Sequence, residues 1–136
     1  MSRQRIQNLS LLIIAVTMLP VGVQAAFAPR SFFDDFPLGR GWIALEGGPY
    51  NEHLVRDVGV LFLALIIVTA WTALRSRNSR PIAMAWFIQG VLHVSYHADH
   101  LDGYKTADKV GLVGSLALVP VLALVALLAG WNKASS

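Results

Sequence analysis

Four long apolar stretches constrain this chain more than any other feature. They cover about residues 9–28, 52–74, 81–101 and 110–131. At ~1.5 Å of rise per residue, a helix of about 20 residues spans ~30 Å, the thickness of the hydrocarbon core of a bilayer. Only 14% of the 136 residues are charged, whereas average soluble domains carry roughly 25%. Both observations predict an integral membrane protein.

The loops indicate how these stretches are connected. The segments 75–80 and 102–106, which join the second stretch to the third and the third to the fourth, are short. Helices joined by short loops lie next to each other and run antiparallel. The sequence therefore predicts an all-α fold: an antiparallel bundle of four transmembrane helices, forming a single membrane domain over residues 1–136.

The first stretch has two interpretations. It is long enough to be a spanning helix, which Pro20 would bend because proline removes a backbone donor. It also has the basic start and apolar middle of a signal peptide, and Ala26-Phe27-Ala28 fits a small-x-small cleavage site. The length of the apolar run favours the span, and cleavage stays the alternative.

Residues 29–50 form the one long segment between spans. Aromatic side chains alternate there with charged ones, and glycines and prolines interrupt the segment. This mixture is typical of the headgroup layer, so we expect an external interfacial segment with short helices near 30–36 and 41–46. It would act as a cap over the bundle or as a lid over a site. The aromatic residues expected to do this are Phe32, Phe33, Phe36 and Trp42.

The distribution of charge predicts the orientation. With four spans, both termini and the loop 75–80 share one side, which carries Arg3, Arg5, Arg75, Arg77, Arg80 and Lys133 and no acid. All eight acids and all four histidines lie on the other side or in the adjoining helix turns. Because short loops rich in Lys and Arg stay cytoplasmic, we expect both termini inside and an external face of histidines and acids. The membrane would be a bacterial plasma membrane.

Three histidines follow one another at the outer end of the third span. His93, His97 and His100 are spaced by four and three residues. This spacing places them on one stripe of a helix.

An acid stands inside the second span. Asp57 lies about five residues, or ~7 Å, below the outer end of that helix, where an acid should face protein or water. If the second and third spans are aligned at their outer ends, Asp57 is level with His97 or Tyr96, and His53 is level with His100. We therefore predict that carboxylate and imidazole groups meet between these two helices.

Such a cluster suits two kinds of chemistry. Imidazoles and carboxylates can bind a transition metal such as Zn, Fe or Cu, and histidines also bind haem. An Asp–His pair can instead relay protons. The predicted metal ligands are His53, His97, His100 and Asp57, with His93, Glu52, Tyr96 and Arg56 as secondary candidates. The structural alternative is that these groups only form interhelical hydrogen bonds or are solvated at the interface.

Composition excludes several other functions. The chain has no cysteine, so disulfides, thiolate metal sites and cysteine nucleophiles are impossible. The basic residues do not form one patch, which argues against a nucleic-acid partner. The side chains also do not supply a complete catalytic set, so an enzyme is not favoured.

Residues 30–103 resemble a known group of membrane proteins. The run 48–59, Gly-Pro-Tyr-Asn-Glu-His-Leu-Val-Arg-Asp-Val-Gly, follows Phe36-Pro37 and Gly39-Arg-Gly-Trp42 and precedes His97-x-x-His100-Leu-Asp. These motifs resemble small, uncharacterised four-helix membrane proteins of actinobacteria, and more distantly the DoxX-like four-helix proteins. The resemblance implies the four-helix topology and no particular mechanism.

Three hypotheses for function follow. The first is an accessory or interaction subunit of a larger membrane complex, bound to other membrane-protein subunits or to copies of itself. The second is a metal- or haem-binding redox protein. The third is a component of a proton-coupled transporter built around Asp57 and His97.

Overall fold

The computed structural model describes residues 2–75 and 78–130. Within these ranges the chain forms six α-helices and no strand, which confirms the all-α prediction. The helices are α1 (Arg3–Phe27), α2 (Pro29–Asp35), α3 (Trp42–Leu45), α4 (Glu52–Arg75), α5 (Arg80–Asp99) and α6 (Thr106–Gly130).

Of the helices in the described ranges, three are long and apolar enough to cross a membrane: α1, α4 and α6. The prediction of four spans is therefore confirmed only in part. The exception is α5, because polar side chains recur from its middle to its end, among them Gln89, His93, His97 and Asp99. The charges predicted at Arg77 and Lys133 and the last residue of the fourth predicted span lie outside the described residues.

Polar side chains and prolines mark the beginnings of the long helices. The Asn51 Oδ1 accepts a hydrogen bond from the Leu54 N–H at 3.1 Å and caps α4. Pro81 occupies the first turn of α5, where a missing N–H costs little. α1 begins earlier than the apolar run predicts, because Ser2 caps it by accepting from the Arg5 N–H at 3.4 Å.

α1 is the central helix of the bundle and packs antiparallel against both α4 and α6. A Cβ atom on Gly59 would lie 2.3 Å from the backbone nitrogen of Ala26, so α4 approaches the end of α1 more closely than any side chain would allow. On the other side of α1, the buried Gln7 side chain donates to the Ala126 carbonyl of α6 at 3.1 Å. These two contacts fix the rotation of α4 and α6 around α1.

α4 and α5 touch each other sparingly, whereas α5 packs extensively on α6. They meet near their short connection, where the Trp86 Nε1–H donates to the Thr69 Oγ1 at 2.7 Å and Phe62 stacks on the same indole. The prediction that α4 and α5 are adjacent holds at this point. The prediction that their far ends also meet is wrong, because α4 packs along α1 and α5 packs along α6.

The bundle has two chemically different ends. The basic end contains the start of α1, the end of α4, the start of α5 and the end of α6, and in the described residues it carries arginines and no acid. The acidic end contains α2, α3 and the opposite ends of the long helices. It carries all eight acids and all four histidines.

Candidate functional site

The most shielded charged contact at the acidic end joins the end of α3 to α5. Glu46 Oε1 lies 2.6 Å from His97 Nδ1, and the two side chains are 19% and 14% exposed. An acid and an imidazole at this distance form an ion pair when the imidazole is protonated. We call this contact the Glu46–His97 pair.

Tyr104, in the turn between α5 and α6, completes this site. Its hydroxyl donates to the Trp42 carbonyl at 2.5 Å and also lies 3.4 Å from Glu46 Oε1. Burial, followed by the charge of Glu46, raises the pKa of Tyr104 to about 12. The phenol is therefore a neutral donor that holds α3 in place.

A second set of contacts fastens α3 to the start of α6. The Trp42 Nε1–H donates to Asp108 Oδ1 at 3.1 Å, and the Arg40 guanidinium pairs with the same oxygen. The chain can make this approach because Gly39 and Gly41 adopt positive φ angles of 77° and 63°, which glycine tolerates without strain. The cap is thus bound to α5 and α6 at separate points.

Two of the three predicted histidines continue as a stripe along α5. The His93 and His97 rings meet edge to face with centroids 4.6 Å apart. His100 belongs to a different environment: it is exposed, its ring stacks on Tyr96 at 4.2 Å, and its Nδ1 lies 2.7 Å from the Tyr96 carbonyl. The stripe therefore reaches the site through His97.

The predicted site residues of α4 pair among themselves. His53 Nε2 lies 3.1 Å from Asp57 Oδ2, with side chains 88% and 56% exposed. Arg56 pairs with Glu52 at 2.8 Å and donates to the carbonyl of Ala26, at the end of α1, at 2.6 Å. The two ion pairs lie on exposed faces of α4, and the hydrogen bond to Ala26 is a partly buried contact with α1.

The structure does not bring the four predicted metal ligands together. Asp57 contacts His53 and His97 contacts Glu46, so the predicted contact between Asp57 and His97 is wrong. The physical reason is that Gly59 turns one face of α4 onto α1 and leaves Asp57 on an exposed face. In the ranges 2–75 and 78–130, no group of three or more histidines and acids is placed to hold a metal ion. Metal or haem binding therefore stays a prediction, and the described residues bring no set of ligands together for it.

The predicted lid aromatics divide into two groups. Trp42 belongs to α3 and lies within the site. The other three pack inside the cap, where Phe32 meets Phe36 with ring centroids 4.9 Å apart and Phe33 meets Tyr50 at 5.4 Å. Their contacts shape α2 and its surroundings rather than cover His97.

Sequence reasoning missed four residues that build the site: Arg40, Glu46, Tyr104 and Asp108. Each is polar and lies in a loop or at a helix end, where many residues are simply solvated. The one available signal is that Glu46 precedes two glycines in an otherwise apolar stretch of the cap. Its partner depends on how the cap folds back, which local pattern does not specify.

The chemistry of the site follows from shielding and proximity. A partly buried carboxylate against an imidazole, with a neutral phenol beside it, can accept and release a proton at the acidic end of the bundle.

No protein-family model matches this chain, and neither the curated proteins nor the solved structures compared with it give a match.

Proposed function

We propose that this chain is an integral membrane protein that serves as an interaction subunit of a larger membrane complex. The observation that carries the proposal is a continuous exposed stripe on α4 with an acid in it. The stripe consists of His53, Asp57, Val60, Ala64 and Ile67. We call it the α4 stripe.

The spacing of the α4 stripe suits a second helix. Its members recur at intervals of four, three, four and three residues, and all are exposed. This is the spacing that two helices use when they pack at a small crossing angle. Ala64 at its centre is small, as is common where membrane helices approach closely.

The polar end of the α4 stripe indicates that its partner is a protein and not lipid alone. Asp57 lies about one and a half turns inside an apolar helix, and 56% of its side chain is exposed. On insertion scales an acid costs about 2.5–3.5 kcal/mol at full membrane depth and less near the interface. A partner helix with a basic or hydrogen-bond-donating side chain at this depth would remove that cost.

The contacts of α5 support a fourth crossing. Arg80 packs beside Gly130 at one end of α6, and Gly90 packs against Pro120 near its middle. The 20 residues of α5 extend over ~30 Å. α5 therefore runs beside α6 through the same layer, with its polar stripe turned to the cap.

The orientation follows from the basic end. Arginines without acids favour the cytoplasmic side, so the basic end and both termini would lie inside a bacterial plasma membrane. The acidic end would face outward. The resemblance to the actinobacterial and DoxX-like proteins agrees with this topology and stays a prediction.

The test is extraction of the tagged protein from its native membrane in mild detergent, followed by native mass measurement. We expect a stoichiometric membrane-protein partner with the wild-type chain and its loss with Ala64→Trp, which places bulk in the α4 stripe. Val121→Trp, on an exposed position of α6, should retain the partner. Two differently tagged copies distinguish a complex with another protein from self-association. A bare monomer, or equal behaviour of the two variants, would contradict the proposal.

The Glu46–His97 pair supports a second candidate function, a proton-linked component of a transporter. A shielded acid–imidazole contact at the outer end of a bundle is suited to proton exchange. In proteoliposomes with an internal pH dye, the wild-type chain should dissipate a pH gradient faster than protein-free vesicles. Glu46→Gln should abolish the difference and Glu52→Gln should not. A rate equal to that of empty vesicles would remove this candidate.

A further inference from the structure

Leu38, at the tip of the turn between α2 and α3, is exceptional in two independent respects. Its side chain is 99% exposed, more than that of any other large apolar residue in the described ranges. Its φ angle is 52°, in the left-handed region that leucine rarely occupies. Neither the backbone nor packing within the protein accounts for a leucine at this position.

The contacts of the turn define its depth relative to the apolar part of α6. Trp42 donates to Asp108, and its ring lies 3.5 Å from the position that a Cβ of Gly111 would take. Val110, between these two positions, begins the apolar run and is 70% exposed. The turn thus lies at the level where the apolar surface of α6 begins.

The same turn is held at this level by a charge. Arg40, two residues after Leu38, pairs with Asp108 in the first turn of α6. Tryptophan and arginine at the rim of an apolar surface are typical of the boundary between headgroups and acyl chains. Leu38 therefore projects from a segment that is fixed at interfacial depth.

We propose that Leu38 inserts into the boundary between headgroups and acyl chains and anchors the cap to the bilayer. Lipid contact supplies the apolar surroundings that the protein does not give this side chain. The left-handed backbone at the tip of the turn is maintained by the attachment of Arg40 and Trp42 on the α6 side. The cap is then held from two directions, by Asp108 from within and by lipid from outside.

The absence of cysteine from the chain makes a direct test simple. Leu38→Cys and, as the matched control, Lys105→Cys in the exposed loop at the same end are spin-labelled in phosphatidylcholine nanodiscs. Power-saturation measurements compare collisions with oxygen, which concentrates in lipid, and with a water-soluble nickel chelate. We expect the oxygen-to-nickel ratio to be several-fold higher at position 38. Equal ratios would overturn the proposal, as would protection of position 38 from both reagents, which indicates protein contact.

A second variant tests the native side chain. Asparagine tolerates the left-handed region, so Leu38→Asn removes the apolar group and leaves the turn conformation accessible. Amide hydrogen exchange over residues 42–46 in nanodiscs should become several-fold faster in Leu38→Asn and stay unchanged in Lys105→Asn. Unchanged exchange in Leu38→Asn would show that Leu38 does not anchor the cap.

Discussion

At the scale of single residues, the charged pairs of this protein differ in how far they are shielded from solvent. The Glu46–His97 pair is largely covered, with side chains 19% and 14% exposed, whereas Glu52 and Arg56 form an exposed pair within one helix. Exposed pairs contribute about 0–1 kcal/mol. Removing one partner of a covered polar contact costs about 1–3 kcal/mol, because the polar group that remains stays shielded from water without its partner.

Glu46→Ala should therefore destabilise the protein by about 1–3 kcal/mol. Glu52→Ala should stay within about 0.5 kcal/mol of the wild type, since its pair lies on an exposed helix face. Denaturant unfolding in mixed micelles measures both differences. Equal losses in the two variants would show that Glu46 contributes no more than a surface charge.

Tyr104 makes the stability of the folded protein depend on pH in the alkaline range. Its pKa is raised from 10.0 to about 12, first by burial and then by Glu46. The folded protein thus keeps the phenolic proton that the unfolded chain loses above about pH 10. Stability from this residue is complete below pH 10 and declines as the pH rises through about 12.

Tyr104→Phe removes both the hydrogen bond and this titration. At pH 8 the variant should be less stable by about 0.5–1.5 kcal/mol. The difference from the wild type should shrink as the pH rises from 10 to 12. Melting temperatures measured across this range test the sign, and a difference that grows with pH would be inconsistent with a neutral phenol donor.

At the scale of elements, the helices follow from local sequence and their rotations do not. The prediction of 52–74 corresponds to α4 (Glu52–Arg75), because Asn51 and the apolar run are local signals. The face that α4 turns to its neighbours depends on Gly59, whose role appears only when α1 lies against it. The sequence therefore identified Asp57 as an unusual acid within a span. It assigned Asp57 the wrong partner, because the rotation of α4 could not be predicted.

The same distinction applies to the candidate site. The spacing predicted one stripe of His93, His97 and His100; in the structure His93 and His97 are neighbours along α5, whereas His100 lies at the end of the helix in another environment. The partner of His97 is Glu46, which reaches it through a cap shaped by glycines with positive φ. Such turns have no periodic pattern from which a distant contact can be predicted.

Gly59→Ala tests the close contact between α1 and α4. The added Cβ would meet backbone atoms of Ala25 and Ala26 at 2.7 and 2.3 Å, so the helices must move apart. Overpacking of this kind costs typically about 1–3 kcal/mol. Gly114→Ala, where no atom lies within 4 Å, should be neutral or up to about 1 kcal/mol stabilising. Similar unfolding free energies for the two variants would refute the close packing.

At the scale of the whole molecule, the separation of charge predicts the topology. Single cysteines at Ser2 and Asn78 should be labelled by an impermeant maleimide only after the membrane is opened. A cysteine at Lys105 should be labelled in intact cells. Labelling of position 78 and position 105 from the same side would mean that α5 does not cross the bilayer.

The central claim concerns the α4 stripe, because the proposal that this chain is a subunit of a complex depends on it. A photo-crosslinking amino acid placed at Val60, Ala64 or Ile67 in the native membrane tests it most directly, with Val121 and Leu128 on exposed positions of α6 as controls. We predict that one partner protein is captured from the three α4 positions and not from the α6 positions. Crosslinks to lipid alone from α4, or the same products from both helices, would contradict the account.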